Sequence, residues 1–234
     1  MLLTNLLFFE AKPPTQASKT DIISTIAWLY YDGKARQASE LAKQQGLRYS
    51  GEGLYKIVYS LGPNKVLKIG KERSGTDDLK QERKHYQCAP EYFPKVLDSG
   101  MNWNIVERIK NIYKTNKNIP QDVLNWFDID SKHTEVYFKD IRSVLEYVEN
   151  YSQTKNMGFG FTVSEKEKQT LKYLFSKPKL VEFLKVLSKC KIRFSDLHRN
   201  NYGINNAGHF VIIDSEWGNP SYSFEDDKFY NIPD

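Results

Sequence analysis

Cysteine is scarce in this chain, with only Cys88 and Cys190 among 234 residues. Two thiols cannot build the disulfide framework of a small secreted domain, and this usage points to a reducing compartment. They also lack the spaced Cys and His partners that a zinc site requires. Glycine and proline are few, 13 and 9 respectively, which excludes collagen-like and low-complexity chains. No apolar run approaches the roughly 18 residues of a membrane span, so no membrane partner is expected. The opening Met1–Phe9 segment is oily but short. It has no basic flank or small-residue cleavage site and does not read as a signal peptide. Together these absences predict a soluble, cytoplasmic, globular protein.

What is present suits a substantial core. The chain is 40% hydrophobic and 14% aromatic, and its length allows one large domain or two smaller lobes. A net charge of +5 could serve nucleic acid or a phosphate-bearing ligand, but the basic residues are scattered. Scattered charge reads as a solvated surface, and nucleic acid is not an expected partner.

From Asp21 the apolar residues Ile22, Ile23, Ile26, Ala27, Leu29 and Tyr30 follow helical spacing behind a Thr20 or Asp21 cap. A second helix is predicted from Lys34 to Gln45, with Gly46 as its stop. The pattern then changes to period 2. Leu47 to Ser60 reads as strand, Leu61–Asn64 as a turn, and Lys65–Ile69 as a second strand. Asp77 to Gln87 is charged and helical, and two further strands flank Gly100. Helices follow around 121–127, 138–150 and 165–190, the last interrupted near Lys177-Pro178. A polar loop, a strand from His209 to Ile213 and a short tail complete the chain.

The chemistry begins at Gly51-Glu52-Gly53-Leu54-Tyr55-Lys56-Ile57-Val58. Two glycines heading a strand let a backbone approach phosphates, although alone they mark only a permissive hairpin. Lys68 lies in the apolar strand Val66-Leu67-Lys68-Ile69. Its ammonium either snorkels to water or aims into the cleft under the glycines, where it needs a carboxylate partner. Glu82 is favoured over Glu72, Asp77 and Asp78, because Leu79, Arg83 and Tyr86 suggest a helix face returning to the sheet. In Phe194-Ser195-Asp196-Leu197-His198-Arg199-Asn200-Asn201, Asp196 and Asn201 share a loop, and Asp214 ends the apolar Val211-Ile212-Ile213 run. Asn201 and Asp214 carry hard oxygens suited to Mg²⁺. Asp196 is then free to orient and deprotonate a hydroxyl. Taken singly, each of these residues could equally make ordinary turn hydrogen bonds.

In this order the motifs resemble the protein-kinase-like superfamily, which includes eukaryotic-type protein kinases and aminoglycoside or choline phosphotransferases. The resemblance spans residues 47–218, with the specific motifs filling about a quarter of it. It implies an α+β, two-lobed fold: an N-terminal helical extension (1–46), an antiparallel-sheet N-lobe with hinge (47–109) and a truncated, mostly helical C-lobe (110–234). Gly51, Gly53 and Val58 would cover a nucleotide, with Lys56 in the place of the third glycine. Lys68 and Glu82 would be the phosphate-binding lysine and its helix partner. Val106 and Glu107 would belong to a hinge whose backbone holds adenine. Asp196 would be the catalytic base, His198 a residue beside the transferred phosphate, and Asn201 and Asp214 the metal ligands. ATP and Mg²⁺ are the implied cofactors.

The departures shape the expected activity. Phe194-Ser195 precedes the catalytic aspartate where the family usually has His-Arg or His-Gly, and Ser215-Glu216 follows Asp214 in place of Phe-Gly. His198 and the Ser-Glu pair lean toward the antibiotic-kinase branch. Only 20 residues (234 minus 214) follow Asp214, and the layout is nearest to the short protein kinases of some bacteriophages. The expectation is a small serine/threonine-type protein kinase using ATP, with a protein substrate as partner. The alternatives are a small-molecule kinase and a binding protein on a kinase-like scaffold.

Overall fold

In a computed structural model, residues 18–109, 121–130, 144–148, 150–151, 164–192 and 201–214 are described. Helix α1 (Lys19–Tyr31) is capped by Ser18, two or three residues ahead of the expected Thr20 or Asp21. Ser18 Oγ accepts from the Asp21 amide at 3.2 Å, and Asp21 accepts from the Ser18 amide at 3.0 Å. This reciprocal capping box satisfies donors that the first turn would otherwise leave open. Helix α2 (Ala35–Gln44) follows and ends before Gly46, whose φ of 70° favours glycine.

The segment expected to be one strand from Leu47 to Ser60 is two, β1 (Arg48–Glu52) and β2 (Lys56–Ser60), separated by Gly53-Leu54-Tyr55. Strand β3 (Lys65–Gly70) leads into α3 (Glu72–Cys88), which begins five residues before the predicted Asp77. Strands β4 (Val96–Ser99) and β5 (Trp103–Glu107) complete an antiparallel sheet of order β1-β2-β3-β5-β4. The second part is mainly helical: α4 (Gln121–Phe127), helical residues 144–148, α5 (Glu165–Phe175) and α6 (Pro178–Lys189). A short hairpin, β6 (Tyr202–Ile204) with β7 (Phe210–Ile212), closes the described chain, and β6 was hidden in the segment read as polar loop. The described residues thus form an α+β fold, a five-stranded antiparallel sheet with three helices followed by a mainly helical part that carries a two-stranded hairpin.

Register explains why the sheet has two unlike faces. Val58 lies opposite Gly51 and Lys68, and Lys68 opposite Asn104. Side chains alternate along each strand, so Lys56, Val58 and Lys68 share one face. The intervening Ile57, Tyr59, Leu67, Ile69 and Trp103 take the other, where they pack on Ile23, Ile26, Ala27, Tyr30, Ala38 and Ala42 of α1 and α2. Tyr30 and Tyr59 tie the two layers through a 2.6 Å hydroxyl contact. The charged face is therefore turned toward α3 and the β6–β7 hairpin.

Two glycines set the seating of α3. A Cβ on Gly75 would lie 2.2 Å from the Tyr55 carbonyl oxygen, and one on Gly70 would lie 2.6 Å from the Gly75 carbonyl carbon. The Lys71 amide also donates to the Tyr55 carbonyl at 2.7 Å. Further along, Arg83 donates to Asn104 Oδ1 at 2.6 Å, and Asn104 Nδ2 to the Leu79 carbonyl at 3.0 Å. The helix is thus fixed at both ends with Glu82 facing the sheet.

The two cysteines depart from expectation. Cys88, the last residue of α3, is bonded to Cys190, which caps α6, with Cα atoms 5.9 Å apart across 102 positions. No local spacing announces a pair so distant in sequence, because only the fold brings it together. A reducing compartment therefore does not follow from cysteine usage. Among the described residues, no helix is long and apolar enough to cross a membrane.

Candidate active site

The charged face of the sheet meets α3 and β7 around two buried lysines. Lys68 Nζ donates to Glu82 Oε1 at 2.8 Å and to the Ile213 carbonyl at 2.9 Å. Glu82 is thus the partner the sequence favoured. Of its competitors, Asp77 instead faces Lys80 at 3.3 Å and Arg73 at 3.9 Å. Glu72 offers its carbonyl to the Thr76 hydroxyl.

Lys56 is the residue that sequence reasoning passed over. Expected only as a replacement for glycine, it is buried and its ammonium meets three carboxylates. Asp214 Oδ1 lies at 2.5 Å, Asp78 Oδ2 at 2.7 Å and Glu82 Oε1 at 2.8 Å. Glu82 and Asp214 accept hydrogen bonds from the ammonium, and Asp78 completes the group as an ion-pair contact. Parity in the sequence puts Lys56 on the face of Val58, two residues on, and the β2–β3 register, which pairs Val58 with Lys68, makes that the face of Lys68.

The charges respond to this crowding. Burial would by itself push the Glu82 carboxyl up, but the ammonium groups of Lys56 and Lys68 outweigh it and hold the pKa at about 2. Burial likewise works against the Lys56 ammonium, and Glu82, Asp214 and Asp78 overcome it, raising its pKa well above the usual lysine value. Asp78 goes the other way: burial dominates the attraction of Lys56, and the like charges of Asp214 and Glu82 add to it, so its carboxyl sits above the ordinary aspartate range. Of the two α3 carboxylates at the Lys56 ammonium, Glu82, with a second lysine, holds its negative charge more firmly than Asp78.

The β6–β7 hairpin brings Asn201 beside Asp214. The Asn201 carbonyl accepts from the amides of Ile213 at 2.6 Å and Asp214 at 3.3 Å. Asn201 is buried, whereas the Asp214 side chain is 40% exposed. Asp214 is therefore the open edge of the network, with Lys56 on its inner side.

The remaining expected residues fall as follows. Gly51 adopts φ 153°, at an irregularity in the β1–β2 register, and a Cβ on Gly51 or Gly53 would meet nothing within 4 Å. The Gly53 amide is committed to the Lys56 carbonyl at 2.9 Å. Val58 lies across from Lys68. Val106 is buried and lines a narrow cavity with Lys68, Glu82, Phe93, Val96 and Ile213. The amides of Glu107 and Arg108 donate to the carbonyls of Lys95 and Asn64, both at 2.9 Å, so neither is free to donate to a nucleobase. Asp196 and His198 lie outside the described residues.

No family model and no curated protein sequence matches the chain. Among solved structures, the streptomycin–ATP ternary complex of APH(2")-IIa is similar at 18% identity and TM-score 0.36, over 80% of this chain and 72% of that one. ADP-bound aminoglycoside phosphotransferase APH(2'')-Ib is similar at 17% identity and TM-score 0.35, over 80% and 72%. The GDP complex of aminoglycoside 2'-phosphotransferase-IIIa gives 12% identity and TM-score 0.38, over 82% and 76%.

Proposed function

We propose that this chain is an ATP- and Mg²⁺-dependent phosphotransferase acting on a hydroxyl group. The observation that carries the reading is the Lys68–Glu82 pair at 2.8 Å, two strands from Gly51 through Val58 and bonded to the segment that bears Asp214. A lysine fixed by a buried carboxylate is preorganised to meet phosphate oxygens without reorganising as charge develops. The oxygen donors also fit a hard divalent cation. Asp214 and Asn201 are adjacent on one hairpin, and Asp214 already holds a positive charge, the Lys56 ammonium. When bound, Mg²⁺ supplies charge neutralisation to the polyphosphate.

This chain's own residues divide the remaining work. Lys68 holds phosphate, and Glu82 holds Lys68. The glycine turn permits close approach of the backbone. Asn201 and Asp214 hold the cation, and Asp196 aims the acceptor hydroxyl and takes its proton. Catalysis of this kind is mainly positioning and electrostatics. The acceptor is read as a protein serine or threonine, in line with the resemblance to short bacteriophage kinases. A small hydroxylated molecule is the alternative.

The test is transfer of labelled γ-phosphate by wild type, Asp196→Asn and Asp214→Asn, offered a casein-like protein and, separately, sugars and amino-alcohols. Wild type alone should label an acceptor, and the acceptor labelled selects between protein and small molecule. Equal incorporation by all three proteins would reject phosphotransfer.

A further inference from the structure

Lys56 has a role that the phosphotransfer reading does not assign. Its ammonium is held by two carboxylates from α3, Asp78 and Glu82, whose side chains are 20% and 10% exposed, and by Asp214, which is 40% exposed. Two bonds anchor it within the protein, and the third reaches out to the residue best placed to take a metal. Among the described residues, no group of three or more His, Cys, Asp or Glu side chains stands ready to hold a metal ion. The carboxylates that do converge here converge on Lys56.

An ammonium nitrogen 2.5 Å from Asp214 Oδ1 occupies the space that Mg²⁺ would need at about 2.0–2.1 Å from the same oxygen. Two cations at such separations repel strongly in a partly buried site. Lys56 has a retreat, because Asp78 and Glu82 remain as partners once Asp214 is given up, so no buried charge is stranded.

We propose that Lys56 is the resident cation of Asp214, and that a divalent metal binds by displacing its ammonium from that carboxylate. The inference rests on the reading of Asp214 as the metal ligand. It makes Lys56 a positioning residue that sets how tightly the site takes metal and keeps Asp214 oriented before loading.

The experiment is binding of Mn²⁺ alone to the full chain, followed by the electron paramagnetic resonance signal of the free ion. Wild type, Lys56→Met, Lys56→Arg and Asp78→Asn are compared, each also with Asp214→Asn. Lys56→Met should bind Mn²⁺ at least tenfold more tightly than wild type, and Lys56→Arg about as wild type does. Asp78→Asn removes one of the two anchors that receive the ammonium, so it should bind several-fold more weakly. Asp214→Asn should abolish binding in every background. Asp214-dependent binding of equal affinity in wild type and folded Lys56→Met overturns this inference and leaves the phosphotransfer reading standing. Should Lys56→Met fail to fold, unchanged affinity in Asp78→Asn overturns it equally. Absence of Asp214-dependent Mn²⁺ binding from wild type and all variants overturns both readings together.

Discussion

Strands β2 and β3 and helix α3 bury Lys56, Lys68 and Glu82 beside Asp78, and the segment after β7 adds Asp214. The helical part, by contrast, buries Phe127, Phe183, Leu184, Leu187, Tyr202 and Phe210 in one apolar cluster, and among the described residues the buried lysine and glutamate side chains, Lys56, Lys68 and Glu82, all lie on the sheet side. The rings of Phe127, Phe183, Tyr202 and Phe210 meet there in tilted and edge-on contacts with centroids 5.2–5.3 Å apart. The apolar cluster gains from every side chain it removes from water, about 1.5–3 kcal/mol for each large one. Buried ions must first lose their hydration, and even well-paired ones often do no better than apolar residues of the same size. The ionic cluster is therefore hard to explain by stability, and its cost is what a prearranged phosphate and metal site would require.

Mutations should separate these two interiors cleanly. The largest expected effect is on activity: Asp214→Asn should lower phosphotransfer by about two to three orders of magnitude, the loss typical of one preorganised electrostatic group. Its melting temperature should stay near that of wild type, because this side chain is 40% exposed. Phe183→Ala should do the reverse. It removes a fully buried ring and should destabilise the fold by about 3–5 kcal/mol, while the folded fraction keeps its turnover. Paired denaturation and activity measurements on both variants check the contrast. If the two lose stability equally, the division between the interiors fails.

The sequence made the sheet side more legible than its detailed wiring. Lys68 and Glu82 were traceable because a lysine in an apolar strand demands a carboxylate, and helical spacing put Glu82 on the face that returns to the sheet. Asp78 and Lys56 were harder. Lys56 was judged by its place in a glycine motif, and only the β2–β3 register sets it diagonally across from Lys68. The disulfide had no local signal at all, since residues 102 apart meet only through packing. The helical core followed from periodicity in α5 and α6, but β6 was missed. Its three residues, Tyr202–Ile204, are too few for alternation to show.

That disulfide is a covalent link between the two interiors, and it supplies the next test. It joins the end of α3, the helix that carries Glu82, to the end of α6 in the apolar cluster. Replacing both cysteines with serine should lower stability by about 2–4 kcal/mol, through freedom restored to the unfolded chain. Metal-independent features of the ionic cluster should persist, because α3 is also fixed by Arg83 and Asn104. Chemical denaturation of the double variant, compared with disulfide-intact wild type, measures this effect. Smaller still is Gly75→Ala. The added methyl would meet the Tyr55 carbonyl at 2.2 Å, and backbone on both sides leaves little room to yield. About 1–3 kcal/mol of destabilisation is expected. Because Tyr55 ends the glycine turn, nucleotide affinity should fall with it. Equal affinity in the folded variant would mean that the seating of α3 does not set the turn.

The finest contrast is one of pH dependence. Glu82 has a folded pKa of about 2 against 4.5 for the free group, so the native state binds fewer protons than the unfolded chain between these values. Its contribution is complete above about pH 4.5 and is lost as pH falls toward 2. Asp78 opposes this, because burial raises its folded pKa above 3.8, so its ionisation costs the folded state stability as pH rises. The net acid slope is therefore a difference of two titrations, and a modest one. Thermal melts from pH 5 down to pH 2 should show a shallower decline for Glu82→Gln than for wild type, by a few degrees, and a steeper one for Asp78→Asn. Leu184→Ala, in the apolar cluster, should lower the whole curve without changing its slope. A slope unaltered by Glu82→Gln would show that the buried carboxylate is not held ionised by its two lysines, and the distinction between an ionic and an apolar interior would lose its electrostatic basis.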